Sequence, residues 1–260
     1  MRPLSTILVT GATDGLGRAL ARELVARDHD VLVHGRSPER IDATLAGLDS
    51  PRARGYRADL SSLAAVRGLA GEVREREERL DVLVNNAGIG AHGPREESGD
   101  GLELRFAVNY LAGYLLTREL LDLLRASAPA RIVNVASAGQ QALDFADLQL
   151  ERDYSGVRAY CQSKLAQILF TIDLAAELEG SGVTVTALHP ATYMPTKMVP
   201  SPISTLQEGV DATLRLIDAP EVDGVSGAYF NGQSEARADP QAYDADARRA
   251  LREASEALTR

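Results

Sequence analysis

A tyrosine and a lysine stand four residues apart, Tyr160 and Lys164, at the head of a segment whose apolar stripe is Leu165, Ile168, Leu169, Ile172 and Ala175. The stripe has helical spacing, and residues i and i+4 share one helix face, so phenol and ammonium project the same way. A phenol has a reference pKa of about 10, and a nearby ammonium favours the phenolate, bringing the group toward working pH as a general acid or base. Upstream, the apolar run Ile132–Ala136 delivers Ser137 to its carboxyl end. Each signal has a plainer reading: a Tyr/Lys pair is commonly a solvated helix face, and a serine after a strand is commonly a turn former.

A second pattern is Gly11-Ala12-Thr13-Asp14-Gly15-Leu16-Gly17, placed between the apolar run ending at Thr10 and a helical pattern through Leu20 and Leu24. Glycines at a strand-to-helix turn let the backbone approach a pyrophosphate, whose charge sits at the positive helix N-terminus. The spacing is G-x-x-x-G-x-G, not the commoner G-x-G-x-x-G, and a tight turn alone also fits. The next strand ends in His34-Gly35-Arg36. An acid at that strand end selects NAD through the ribose hydroxyls, whereas a nearby Arg accommodates a 2′-phosphate. Gly35 stands in the place of the acid and Arg36 follows, which favours NADP(H), with NAD(H) as the alternative. Asp14 points the other way, because a carboxylate near the phosphate repels it; a surface Arg is the plain reading of Arg36. The third strand ends in Asp59-Leu60, where the carboxylate is placed to accept from an adenine amino group or to cap a helix, as Ser61 also is. The fourth ends in Asn85-Asn86-Ala87-Gly88, two amides suited to a cleft or to bracing the loop backbone.

The elements that must position these residues follow from periodicity. Short apolar runs at Thr6–Thr10, Val31–His34, Ala53–Arg57, Val82–Asn85, Ile132–Ala136, Val183–Leu188 and Ala228–Phe230 read as strands covered on both faces. Helical patterns lie near 16–28, 38–48, 61–78, 101–124, 159–179, 205–219 and 241–258. The alternation predicts an α/β fold with right-handed crossovers and a doubly wound parallel sheet, helices on both faces. Ligands then bind beyond the carboxyl ends of the strands.

Composition narrows the class. The 260 residues are 45% hydrophobic and 25% charged, with 28 basic against 37 acidic side chains and a formal charge of -9. That balance disfavours a nucleic-acid partner, which needs a basic face, and an anionic membrane surface. Cys161 alone forms no internal disulfide, the four histidines offer no metal-ligand spacing, and no apolar run approaches a membrane span. No secretory signal is visible, so a cytoplasmic protein is expected.

The ordered set TGATDGLG, NNAG, Ser137 after the fifth strand and YCQSK resembles the short-chain dehydrogenase/reductase family. Val108-Asn109-Tyr110, Leu115-Leu116-Thr117, the run Tyr160–Ala166 and the closing Ala254–Thr259 resemble its retinol-dehydrogenase-like branch. The resemblance implies a single Rossmann-type domain over 1–260, with a substrate loop near 190–205. It implies an Asn-Ser-Tyr-Lys tetrad at Asn109, Ser137, Tyr160 and Lys164. Tyr160 would exchange the proton, Ser137 orient the carbonyl, Lys164 bind the nicotinamide ribose and stabilise the phenolate, and Asn109 hold a relay water. Gly11, Thr13, Asp14, Gly15, Leu16, Gly17, Arg36, Asp59, Leu60, Asn86, Ala87 and Gly88 would meet the dinucleotide. So would Pro190, Thr192, Tyr193 and Thr196, although Ala191 replaces the family's usual glycine, leaving Thr192 or Thr196 to meet the carboxamide.

Between Ser137 and Tyr160 lie 22 residues, an insert expected to form a lip beside the site, next to the helical surface through which many relatives pair. A homodimer is therefore open. Ile89, Gly90, Ala91, Ala142, Leu143, Tyr193, Met194, Met198, Val199 and Ile203 are expected near the substrate, with Gln140 and Gln141 available to a hydroxyl. This predominantly apolar set predicts a small-molecule substrate that is a bulky ketone or aldehyde, or the matching alcohol. Two other readings stand beside an oxidoreductase: a lyase, isomerase or cyclase using Tyr160 as acid/base, and a nucleotide-binding sensor without turnover.

Overall fold

The computed structural model describes residues 4–195 and 201–260. β1 (Thr6–Val9), β2 (Asp30–Gly35), β3 (Ala53–Arg57), β4 (Val82–Asn85), β5 (Ala130–Val135), β6 (Val183–His189), β7 (Tyr229–Asn231) and β8 (Ser234–Ala236) form one sheet. Its order is β3-β2-β1-β4-β5-β6-β7-β8, parallel throughout except for β8, which runs antiparallel to β7. Between them run α1 (Gly15–Ala26), α2 (Pro38–Leu48), α3 (Leu63–Arg76), α4 (Ala112–Ala126), α5 (Gly156–Glu177), α6 (Leu206–Asp218) and α7 (Ala245–Leu258). The doubly wound Rossmann-type architecture expected from the alternation is the one observed.

Strand periodicity sorts the core into two layers. Ile7, Val9, Val31, Val33, Val82 and Val84 face α1 and α6 through Leu20, Leu24, Val210 and Leu214. Leu8, Leu32, Leu83 and Ile132 face α3, α4 and α5 through Leu69, Leu116, Leu165 and Ile168. The strand order reverses between β1 and β4, the place where such sheets open a ligand crevice. Thr10 bridges that point: its Oγ1 accepts from the Asn86 amide at 2.9 Å and the Ala87 amide at 3.0 Å.

Several expected boundaries move for local reasons. The helix expected from 101 begins just after Glu103, whose carboxylate accepts from the Phe106 amide at 2.6 Å. Its first turns, Phe106–Leu111, are π-helical and run on into α4. The following helix starts earlier than expected because Ser155 caps it, accepting from the Arg158 amide at 3.1 Å. β8 was not expected. It forms because Gly232, at φ 59°, opens a two-residue hairpin after Asn231.

Before α5 begins at Gly156 the insert has no helix or strand, and it is fastened at Ala142 and Leu143. Gln162 Nε2 donates to Ala142 O at 2.8 Å, and the Leu143 amide donates to Gln241 Oε1 at 2.6 Å. The insert meets α5 at Gln162 and Arg158, the latter on Asp144 at 3.1 Å, and α7 packs along α5 through Arg252, paired to Asp173 at 2.9 Å. The Tyr110 hydroxyl reaches α7 at Ser255 Oγ, 2.7 Å away. No described helix is long and apolar enough to cross a membrane.

Candidate active site

The glycine turn leaves β1 with Gly11 at φ 66° and enters α1 with Gly15 at φ 47°, conformations that side chains other than glycine resist. A Cβ on Gly17 would stand 2.4 Å from Gly11 O, so the helix packs directly on the turn. Asp14 caps α1, accepting from the Gly15 amide at 2.9 Å, and its carboxylate pairs with Arg40 at 2.7 Å. Its negative charge is thus matched. Leu16 faces the core, so only its backbone is offered to a ligand.

His34 locks this turn, a role the sequence did not disclose. Its Nδ1 accepts from the Gly11 amide at 3.1 Å and its Nε2 donates to Ala58 O at 3.2 Å, which fixes the neutral tautomer. Burial holds the imidazole down to about 4. Gly35 follows, and a Cβ there would stand 2.5 Å from Thr13 Cγ2. Arg36 is exposed beyond it, and Arg40, one turn into α2, joins it with Nη2 on Thr13 O at 3.3 Å.

Asp59 is exposed, its carboxylate accepting from the Ser61 amide at 3.0 Å and the Ser61 hydroxyl at 2.8 Å. The cap of α3 is Ser62, not Ser61 or Asp59. Leu60 is buried. Asn86 braces the turn with Nδ2 on Thr10 O at 2.8 Å, the plainer of its two readings. Ala87 and Gly88 continue toward the reacting end: a Cβ on Gly88 would stand 3.2 Å from Asn109 Oδ1 and 3.7 Å from Lys164 Nζ.

Asn109 lies in the π-helical turn. Its Oδ1 accepts from the Ile89 amide at 2.8 Å, and its Nδ2 donates to Ser163 Oγ at 3.0 Å and Ile89 O at 3.2 Å. The side chain therefore fixes the loop after β4. Ser137 is buried at the end of β5, its Oγ accepting from the Gly139 amide at 3.0 Å. A Cβ on Gly139 would stand 3.5 Å from Ser137 Oγ and 4.0 Å from Tyr160 Cε1, so the two side chains converge there. Lys164 Nζ lies 5.8 Å from the centre of the Tyr160 ring. The structure thus brings Asn109, Ser137, Tyr160 and Lys164 to one place.

The expected lowering of the Tyr160 phenol is not what this geometry gives. Burial pushes it up, against a smaller downward pull from the neighbouring Ser137 hydroxyl. Lys164 Nζ places its hydrogen bonds elsewhere, donating to Val135 O at 2.8 Å and Gln167 Oε1 at 3.0 Å. Burial also brings the Lys164 ammonium down to about 7.

Beyond β6, His189 Nε2 lies 2.9 Å from Thr192 Oγ1, and Pro190 follows the strand. Tyr193 is exposed at φ 49°, its carbonyl accepting from the Ile203 amide at 3.0 Å. Thr196, Lys197, Met198 and Val199 lie outside the described residues. Three expected substrate contacts are corrected. Gln140 is already engaged, Nε2 on Ser137 O at 2.9 Å and Oε1 on the Asp239 amide at 2.7 Å. Leu143 is buried in the core, and Met194 packs against the α1/α6 layer. Arg105, by contrast, was missed. Buried, it donates to the carbonyls of Gly90 at 2.9 Å and Pro94 at 3.4 Å and also to that of His92, clamping the loop after β4.

The profile of the family described as short chain dehydrogenase matches residues 5–205. The chain is a short-chain dehydrogenase/reductase. It is 39% identical to retinol dehydrogenase 13 of Mus musculus over 96% of this chain and 82% of that protein. It is 37% identical to retinol dehydrogenase 14 of Mus musculus over 97% and 85%. Among solved structures, an uncharacterized protein from Mycobacterium paratuberculosis superposes with TM-score 0.81 at 30% identity, covering 98% of this chain and 93% of that one. The NADPH-bound carbonyl reductase from chicken fatty liver gives 0.73 at 26% identity, covering 92% and 100%. This short-chain dehydrogenase/reductase belongs to the retinol-dehydrogenase-like branch and is an NAD(P)-dependent oxidoreductase acting on CH–OH or C=O groups.

Proposed function

We propose that the protein uses NADP(H) to interconvert an apolar, bulky ketone or aldehyde and the matching alcohol, with Tyr160 as the acid/base. The observation that carries this reading is the convergence of the Tyr160 and Ser137 side chains at Gly139, with Lys164 Nζ 5.8 Å from the Tyr160 ring, at the carboxyl edge of the sheet. A dinucleotide fits the residues present: a glycine turn at the head of α1, and Gly88 leaving open the approach to Lys164. When bound, it supplies the hydride. In reduction, Tyr160 donates its proton to the carbonyl oxygen and Ser137 orients that oxygen by hydrogen bonding. Lys164 binds the nicotinamide ribose, and its charge favours the phenolate left behind. Asn109 keeps the π-helical turn in register with the loop at Ile89 and holds a relay water.

Gly11, Thr13, Gly15, Leu16 and Gly17 would receive the pyrophosphate on their backbone, and Asp59 and Leu60 the adenine. Asn86, Ala87 and Gly88 would flank the ribose, and Pro190, Thr192 and Tyr193 the nicotinamide. Arg36 and Arg40 support the preference for NADPH, because two guanidinium groups at the end of β2 suit a 2′-phosphate. Asp14 enters as the partner that orients Arg40.

The apolar substrate is supported by exposed Tyr193 and Ile203 at the rim, and by relatives named for retinol, an apolar alcohol. A panel of kcat/KM values for apolar ketones, aldehydes and quinones against sugar phosphates, small acids and acyl-CoA esters tests it. Preference for the apolar set is expected; preference for an anionic group would reject the substrate class.

A further inference from the structure

Lys164 is buried at the centre of the site, yet among the described residues no carboxylate pairs with it. An ammonium has three protons and no acceptor, so burying it demands acceptors in fixed places. Two are given: Val135 O at the end of β5, at 2.8 Å, and Gln167 Oε1, one helical turn further along α5, at 3.0 Å. Because an ammonium only donates, the amide oxygen of Gln167, and not its NH2, faces Nζ.

Gln167 is itself held. Only 4% exposed, it offers its backbone carbonyl to Thr171 Oγ1 at 2.8 Å. Thr171 in turn accepts from Asn134 Nδ2 at 2.9 Å, and Asn134 Oδ1 accepts from Asn85 Nδ2 at 2.9 Å. This buried polar chain ties the α5 turn carrying Gln167 to β5 and β4. Gln167, Asn85 and Asn109 also line a small cavity of about 10 Å³ behind the lysine. Asn85 Oδ1, buried, has no hydrogen-bond partner among the described residues, which marks the cavity wall as a place for one water.

We propose that Gln167 is a positioning residue for Lys164: its amide oxygen holds the ammonium charged and in place at Gly88 without neutralising it. A carboxylate there would bind the charge too firmly, and an apolar side chain would leave Nζ with Val135 O as its one acceptor among the described residues. The inference rests on the reading of Lys164 given above. The titratable groups facing the ammonium are Tyr160 on the same helix and His189 at the end of β6.

The test compares Gln167→Met, which removes the acceptor, with Gln167→Glu, which adds a charge. NADPH affinity is followed by nicotinamide fluorescence, and kcat/KM with a carbonyl substrate, from about pH 5 to about pH 10. In Gln167→Glu the basic limb of both profiles is expected to move up by about one pH unit, and in Gln167→Met to move down. If burial of the bare ammonium keeps the Met variant from folding, the Glu variant decides alone. Limbs that stay in place, with or without a uniform loss of rate, would overturn the proposal. Lys164→Met is measured alongside. Should it keep wild-type NADPH affinity and turnover, the reading of Lys164 fails and this inference with it; should it lose both while the Gln167 limbs stay fixed, only Gln167 is misassigned.

Discussion

The imidazole of His34 accepts a hydrogen bond from the Gly11 amide at 3.1 Å, so the end of β2 holds the glycine turn that leaves β1. The bond exists only while Nδ1 carries no proton. Folded His34 is held down to about 4 by burial, whereas an unburied imidazole titrates near 6.5. Between those values the unfolded chain binds the extra proton, so stability falls as pH drops through this window. The loss from this group approaches roughly 3 kcal/mol at the acid end. Thermal unfolding of the wild type and of His34→Gln from about pH 7 to about pH 4 checks it: the acid-dependent loss should shrink in the variant.

Gly35 and Thr13 set a second expectation. Because a Cβ on Gly35 would meet Thr13 Cγ2 at 2.5 Å, Gly35→Asp alone must displace the turn. It should weaken NADPH binding about ten- to hundredfold without a matching gain for NADH. Adding Thr13→Ala opens the space, and the double variant should prefer NADH. Dissociation constants for both cofactors decide it; an NADH preference in Gly35→Asp alone would show that Thr13 yields freely.

Arg105 reaches three carbonyls of the loop after β4 with one planar guanidinium. A lysine has a single compact head and does not span them. Arg105→Lys should raise KM for the carbonyl substrate about tenfold, about 1.4 kcal/mol, and leave the NADPH dissociation constant unchanged. Steady-state kinetics beside a cofactor titration separate the two effects.

The Tyr110 hydroxyl, fully buried, donates to Ser255 Oγ, which itself donates to Leu251 O at 2.7 Å. Ser255→Ala leaves that phenol without its acceptor and should cost about 1–3 kcal/mol of stability. Denaturant unfolding measures the loss, and a wild-type midpoint would mean that α7 shifts to supply another acceptor.

What was legible in the sequence was what local spacing encodes. Tyr160, Lys164 and the glycine turn declare themselves within a few residues, and alternating apolar runs give the sheet. Partners far along the chain were not legible. His34 reads as one polar residue in an apolar strand until Ala58 and Gly11 close on it. Leu143 and Gln140 read as free insert residues, yet Gln241 and Asp239, nearly a hundred positions away, fasten them. Gln167 sits in plain view three residues after Lys164, but nothing in the spacing says that the ammonium bends back toward it. The hairpin at Gly232 did carry a signal, a glycine two residues after an aromatic pair, too short to read as a strand turn on its own.

The most direct measurement of the central claim is Tyr160→Phe, with NADPH affinity and kcat determined on the same preparation. The ring and its packing are kept, and only the transferable proton is removed. The account predicts a fall in kcat of about 10²–10⁴-fold with the NADPH dissociation constant nearly unchanged. A variant that turns over at the wild-type rate would contradict the assignment of Tyr160 as the acid/base of this site.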